Sequence, residues 1–263
     1  MLSNIFLAYA VIHLALLTWG WHRWTPAGRP VALSLTLFTN TLLWYDNFRI
    51  GIGRIVGEGD LLYGLSIPAF FWHWTMLPLL MIVAGSIARM AGLEWARSRL
   101  VMGLFCLGAV ALFLKDLPYT IGLLFGEVGP LPAVELRPGC IADTLRYTTK
   151  VSAAQFCSPD AVEFANGPSP LPAIVMNIVM VGVGIALWIR HRWKWLAIGP
   201  GLMFVAAGGA PLWGVWALPI ANFGEIQWES MGINFVMVFS PNTFAGAPHA
   251  WLATLTDRTA EAA

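Results

Sequence analysis

Ionisable side chains are scarce in this chain, and the stretch Leu43–Trp74, LWYDNFRIGIGRIVGEGDLLYGLSIPAFFWHW, gathers an unusual share of them between two apolar segments. Asp46 sits about two residues inside the edge of the first apolar segment, and a carboxylate at membrane depth is a functional-site candidate by default. Arg49 falls at i+3 on the same helical face and would keep it ionised. Asn47 could orient the pair. The expected chemistry is acid/base: Asp46 gives or takes a proton, Arg49 and Asn47 position it, and His73 lies deeper in the same pocket. Glu225 and Glu229, beyond the last strongly apolar run, are further candidates for the acid. A carboxylic acid in an aromatic, water-poor pocket holds its proton and can act as a general acid. Trp44, Trp72, Trp74, Trp213, Trp216 and Trp228 lie toward that pocket or its rim, where aromatic faces stabilise cations.

Two other ligand sets deserve weighing. Glu58 and Asp60, in the turn GEGD, could bind a divalent cation through oxygen or form a solvated turn. His13 and His73 fall at matched depths in two inward-running segments, roughly 16 and 18 Å from their starts at 1.5 Å per residue. Matched imidazoles are what a haem or another tetrapyrrole would need. The glycines of GIGRIVGEG make no phosphate loop, since no Gly-Lys-Ser/Thr follows. They suit close backbone packing between membrane helices, or approach to a ligand. No HxxxH or HxxH pair supports a dimetal oxygenase, no lysine sits in a span for a retinal Schiff base, and no GxSxG marks a nucleophilic serine.

The elements that must hold these residues follow from composition. Of 263 residues, 58% are hydrophobic and 11% charged, with net charge +1 and mean hydropathy +0.69. Soluble domains carry about 25% charged residues, so lipid is the expected solvent. No basic patch with interleaved aromatics speaks for nucleic acid. Spans are expected at Leu2–Trp19, Val31–Phe48, Leu61–Ala84, Leu100–Leu114, Leu171–Ile189 and Trp195–Trp216, with Gly199–Pro200–Gly201 placed to break the last one's first turn. Met231–Leu255 is expected as a seventh. The fold class is therefore an all-α polytopic membrane bundle of about six or seven helices, residues 1–263 forming one membrane domain.

Orientation comes from the connectors. Arg23 and Arg29, then Arg89, Arg97 and Arg99, then Arg190, Arg192 and Lys194 follow the first, third and fifth spans, against the single acid Glu94. Basic short loops stay in the cytoplasm, so the N-terminus and the Leu43–Trp74 junction are expected outside. The loop 115–170 is then extracytoplasmic, with Tyr119–Phe125 resting on the membrane surface and Cys140 and Cys157 forming a disulfide in an oxidising compartment. The expected setting is a bacterial inner membrane.

Two functions compete. One is an integral membrane enzyme acting on an isoprenoid- or lipid-like substrate. The other is a non-enzymatic subunit or assembly factor of an energy-converting complex, binding a tetrapyrrole and other membrane subunits. A small-molecule transporter is weaker, since the chain shows no two-fold repeat.

Overall fold

The computed structural model describes residues 2–25, 31–141, 143–209, 212 and 214–243, and of residues 229, 231 and 233–243 the backbone alone. Helices dominate: α1 (Leu2–Trp24), α2 (Val31–Val56), α3 (Asp60–Thr75), α4 (Leu80–Met90), the single turn α5 (Glu94–Arg97), α6 (Arg99–Phe125), α7 (Leu171–His191), α8 (Trp195–Gly208) and α9 (Ala217–Thr243). Among the described residues, four stretches are long and apolar enough to cross a membrane: Leu2–Trp24, Asp60–Met90, Arg99–Phe125 and Leu171–His191. Among the described residues, strand is confined to two small antiparallel pairs between α6 and α7. They are β1 (Arg137–Ile141) with β2 (Thr144–Thr148), and β3 (Lys150–Val151) with β4 (Phe164–Ala165).

The first two helices show how sequence sets packing. Along α1 the buried residues Ser3, Phe6, Ala10, His13, Leu17 and Gly20 recur at three- and four-residue steps, one stripe of a helix. That stripe lies antiparallel on α2. Trp24 Nε1 donates to Ser34 Oγ at 2.8 Å at one end, and Gly51 accepts the Leu7 side chain at the other. On α2, Thr36, Asn40, Leu43 and Asn47 share a face, and α9 covers it, also antiparallel. Asn222 Nδ2 donates to Asn47 Oδ1 at 3.0 Å, and Gly232 packs on the Thr36 methyl. The α8–α9 crossing brings Gly199 and Gly224 backbone to backbone, too close for any side chain at either position.

Several element ends differ from the sequence expectation. α2 runs past Phe48 to Val56, because Ile50, Gly51 and Gly53 are buried against neighbours, and it stops at Gly57, whose φ of 81° favours glycine. The third span is interrupted by a 3₁₀ turn, Leu77–Leu79, at Pro78. α6 continues through Pro118 to Phe125, so Tyr119–Phe125 is helix, not a surface segment: Leu123 is buried and the Gly122 carbonyl accepts the Val134 N–H at 3.2 Å. Gly199–Pro200–Gly201 lies inside α8, which ends at Gly208 instead of Trp216. The last helix begins at Ala217, not Met231, and the remainder of the expected Met231–Leu255 span beyond 243 lies outside the described residues.

Two hydrophobic clusters matter for position. The larger joins α1, α2, α4, α6, α7, α8 and α9 around Leu33, Leu37, Val83, Ile87, Leu187 and Leu196. The smaller joins Leu62 and Trp74 of α3, Leu123 of α6, and Val134, Leu136, Leu145 and Tyr147 of the long loop. The loop is thereby a cap seated on the α2–α3 junction, stapled by a Cys140–Cys157 disulfide. The opposite end is basic. There Arg89 donates to the carbonyls of Ala96, Arg97 and Ser98, and the His191 ring meets the Ala91 carbonyl at 2.7 Å.

Candidate functional site

The site forms where α2, α3 and β2 meet. Asp46 and Arg49 are one helical turn apart, and Arg49 Nη2 donates to Asp46 Oδ1 at 2.6 Å. The guanidinium is anchored from both sides. Its Nη1 donates to Ser66 Oγ of α3 at 3.1 Å and to the Tyr147 carbonyl of β2 at 3.0 Å. Its flat face lies over the Phe70 ring, 5.5 Å from the centroid. The pair is asymmetric: the Arg49 side chain is 4% exposed and that of Asp46 is 29% exposed. The carboxylate therefore reaches open space while the cation that holds it does not.

Three further ionisable groups surround this opening. His73 of α3 retains an exposed surface among dense protein atoms and lies in the electrostatic field of Asp46, Arg49 and Asp116. Arg146 of β2 lies in the field of Arg49 and Asp46. Glu225 of α9 stands beside the Asn47 amide and within the field of Asp46. All three keep some accessible surface although protein atoms are dense around them. Burial, with the like charge of Arg49, pulls the Arg146 guanidinium down to about 10, still charged at neutral pH. Burial, with Glu58 nearby, pushes the Tyr147 phenol up.

Local structure explains the placement. Gly53 carries no side chain, and the Leu145 carbonyl of β2 occupies that space, so the hairpin approaches α2 closely enough for Tyr147 to receive Arg49. This is the close approach expected of the glycine run, made to the cap and, at Gly51, to α1. Tyr45 donates its hydroxyl to the Leu65 carbonyl at 2.8 Å and meets Trp72 edge to face at 5.7 Å, tying α2 to α3 beside Asp46. Asn47 is fully buried, donates to the Leu43 carbonyl at 2.9 Å, and accepts from Asn222.

Asp46, Asn47, Arg49, His73 and Glu225 lie close enough to act on one another electrostatically or through hydrogen bonds. The side chain of Glu229 lies outside the described residues. The other candidates lie elsewhere in the fold. Glu58 and Asp60 are exposed on a turn shaped by Gly57 and Gly59, and among the described residues no three His, Cys, Asp or Glu side chains converge on a cation. His13 and His73 sit in different surroundings. His13 is fully buried in the stripe that α1 presents to α2 and α9, while α3 packs His73's surroundings against α2 and α6. Of the tryptophans, Trp72 flanks the site through Tyr45, and Trp44 stacks on Phe48 at 5.9 Å. Trp74 and Trp228 are core residues, Trp216 is exposed, and Trp213 lies outside the described residues.

Sequence reasoning missed Arg146, Asp116 and Asn222. Asp116, 4% exposed and bonded by Lys115 Nζ at 2.8 Å, was hidden by ending its helix at Leu114. Arg146 had no local signal, because strand pairing and the cap bring it in from far along the chain. No protein-family model, curated relative or solved structure matches the chain.

Proposed function

We propose that the chain is an integral membrane enzyme that acts on a lipophilic, isoprenoid- or lipid-like substrate by acid/base chemistry in the cleft beside Asp46. The observation that carries this reading is the asymmetric pair: an accessible carboxylate held by a buried guanidinium whose two Nη groups are bonded to Asp46, Ser66 and Tyr147. A carboxylate whose partner is fixed keeps its position without losing its open face. Asp46 is the acid/base, Arg49 orients it and sets its charge, Asn47 fixes the neighbouring turn, and His73 is the second proton carrier, placed across the cleft on α3.

In this reading seven segments cross a bacterial inner membrane: α1, α2, α3 with α4, α6, α7, α8 and α9. The basic end, with Arg89, Arg97, Arg99, Arg190, Arg192 and Lys194, faces the cytoplasm. The N-terminus, the cleft and the disulfide-bearing cap then face outward, where cysteines oxidise. The substrate enters from the outer leaflet, past Trp72 and Tyr45.

The test is Asp46→Asn, which keeps size and hydrogen bonding and removes the titrating group. Wild-type and variant proteins are reconstituted with total lipid from the host, and the lipid profile is followed by mass spectrometry. General acid/base contributions of roughly 10²–10⁴ predict that product formation falls by at least about 100-fold in a variant that still folds. Unchanged product formation rules out Asp46 as the proton carrier.

A further inference from the structure

A guanidinium offers five N–H donors in a planar fork. Among the described residues, the five donors of the Arg146 side chain make no hydrogen bond and no ion pair, although the side chain is only partly accessible. The charged groups that act on it are Arg49 and Asp46. Arg49 repels it. Asp46 attracts it, but the Oδ1 of Asp46 is already taken by Arg49 Nη2 at 2.6 Å. Arg49 in turn spends its Nη donors on Asp46, Ser66 and Tyr147. Two cations therefore face one carboxylate, which leaves one positive charge uncompensated beside a cleft.

The hairpin fixes where that charge points. Leu145 and Tyr147, on either side of Arg146 in β2, are buried in the cap's own core. Alternation along a strand turns Arg146 to the other face, and there it meets the field of Asp46 and Arg49. The strand is held in register by pairing with β1, Arg146 opposite Gly139. A charged fork with free donors, held on a paired strand within the field of a carboxylate, can receive an oxyanion in bidentate fashion.

We propose that Arg146 binds the anionic head group, a phosphate or carboxylate, of a lipid-soluble substrate, and presents the adjoining atoms to Asp46 and His73. This rests on the reading of the cleft as the site for a lipophilic substrate and names the substrate's class. The head group sits under the cap at the level of the polar membrane surface, and the chain extends into the bilayer.

The experiment uses the full-length protein in neutral phosphatidylcholine nanodiscs, with binding read by intrinsic tryptophan fluorescence. The probes are dodecyl phosphate, dodecanoate, dodecanol and inorganic phosphate. Dodecyl phosphate or dodecanoate is expected to saturate the wild type and dodecanol to bind far more weakly. Inorganic phosphate binding as tightly as dodecyl phosphate overturns the lipid-soluble class. Arg146→Gln is expected to weaken the anionic amphiphile by on the order of tenfold or more. Arg146→Lys keeps the charge, loses the fork and falls between, which separates head-group binding from a folding defect. Wild-type affinity in both variants overturns the proposal. Asp46→Asn is expected to bind at least as tightly as wild type while turning over no substrate. Turnover in that variant, with Arg146→Gln still unable to bind, removes the acid/base reading and leaves the head-group site standing.

Discussion

Arg49 and Asp46 resemble an ordinary i, i+3 ion pair in the sequence, but the burial of Arg49 makes them something else. Exposed pairs contribute about 0–1 kcal/mol. Removing one partner of a buried pair leaves an uncompensated charge and costs about 3–5 kcal/mol. Arg49→Ala would strand the Asp46 carboxylate and the Tyr147 carbonyl together. Because Asp46 is partly accessible, the loss is expected to be smaller, about 1–3 kcal/mol of stability in detergent from the unpaired Tyr147 carbonyl and the lost ion pair, whereas Arg54→Ala, at an exposed arginine further along α2, should change stability by less than about 1 kcal/mol. Asn40 gives the opposite case. It is fully buried, and neither amide atom has a partner among the described residues. The α2–α9 register, read from Asn47 with Asn222 and Thr36 with Gly232, sets it level with Trp228, whose Nε1 also lacks one. An unmade hydrogen bond costs about 1–3 kcal/mol, so Asn40→Leu is expected to match or exceed wild-type stability on denaturant titration. A loss above about 2 kcal/mol would show that the amide is bonded after all.

Among the elements, the hairpin's seat on α2 is the critical contact. An alanine methyl at Gly53 would collide with the Leu145 carbonyl, a backbone atom that cannot rotate away, while nothing lies within 4 Å of the same methyl at Gly64. Gly53→Ala is expected to destabilise by about 1–3 kcal/mol through overpacking and to weaken the Arg49–Tyr147 bond. Gly64→Ala should gain up to about 1 kcal/mol of helix propensity. Limited proteolysis of the cap separates the two outcomes. The Cys140–Cys157 bridge spans 17 residues, and a loop of that length is expected to hold about 3 kcal/mol of stability, so Cys140→Ser/Cys157→Ser should loosen the cap with the helices intact, read as faster cap cleavage at unchanged helical signal. How much of this was legible in sequence follows the range of each contact. Asp46 and Arg49 were, because i, i+3 spacing on an apolar helix is local. The helix ends were not: α2 continues through a glycine run, and α6 through Pro118, because neighbours bury those turns. Arg146 was not, because the Arg49–Tyr147 bond that brings its strand in joins residues 98 apart.

For the whole molecule, charge asymmetry and cap location say the same thing. The basic connectors gather at one end, tied by Arg89 and His191. The Asp46–Arg49 pair, the cap and the disulfide gather at the other. In the proposed orientation the cleft opens to the non-cytoplasmic side, and an enclosed but accessible His73 is its most useful reporter. The direct test is a His73→Cys variant in a Cys106→Ala background, with Cys140 and Cys157 left oxidised, exposed in intact cells to a membrane-impermeant maleimide. Labelling from outside, blocked by dodecyl phosphate, is the predicted result. Labelling only in inside-out vesicles, or none after solubilisation in mild detergent, would contradict both the orientation and the open cleft.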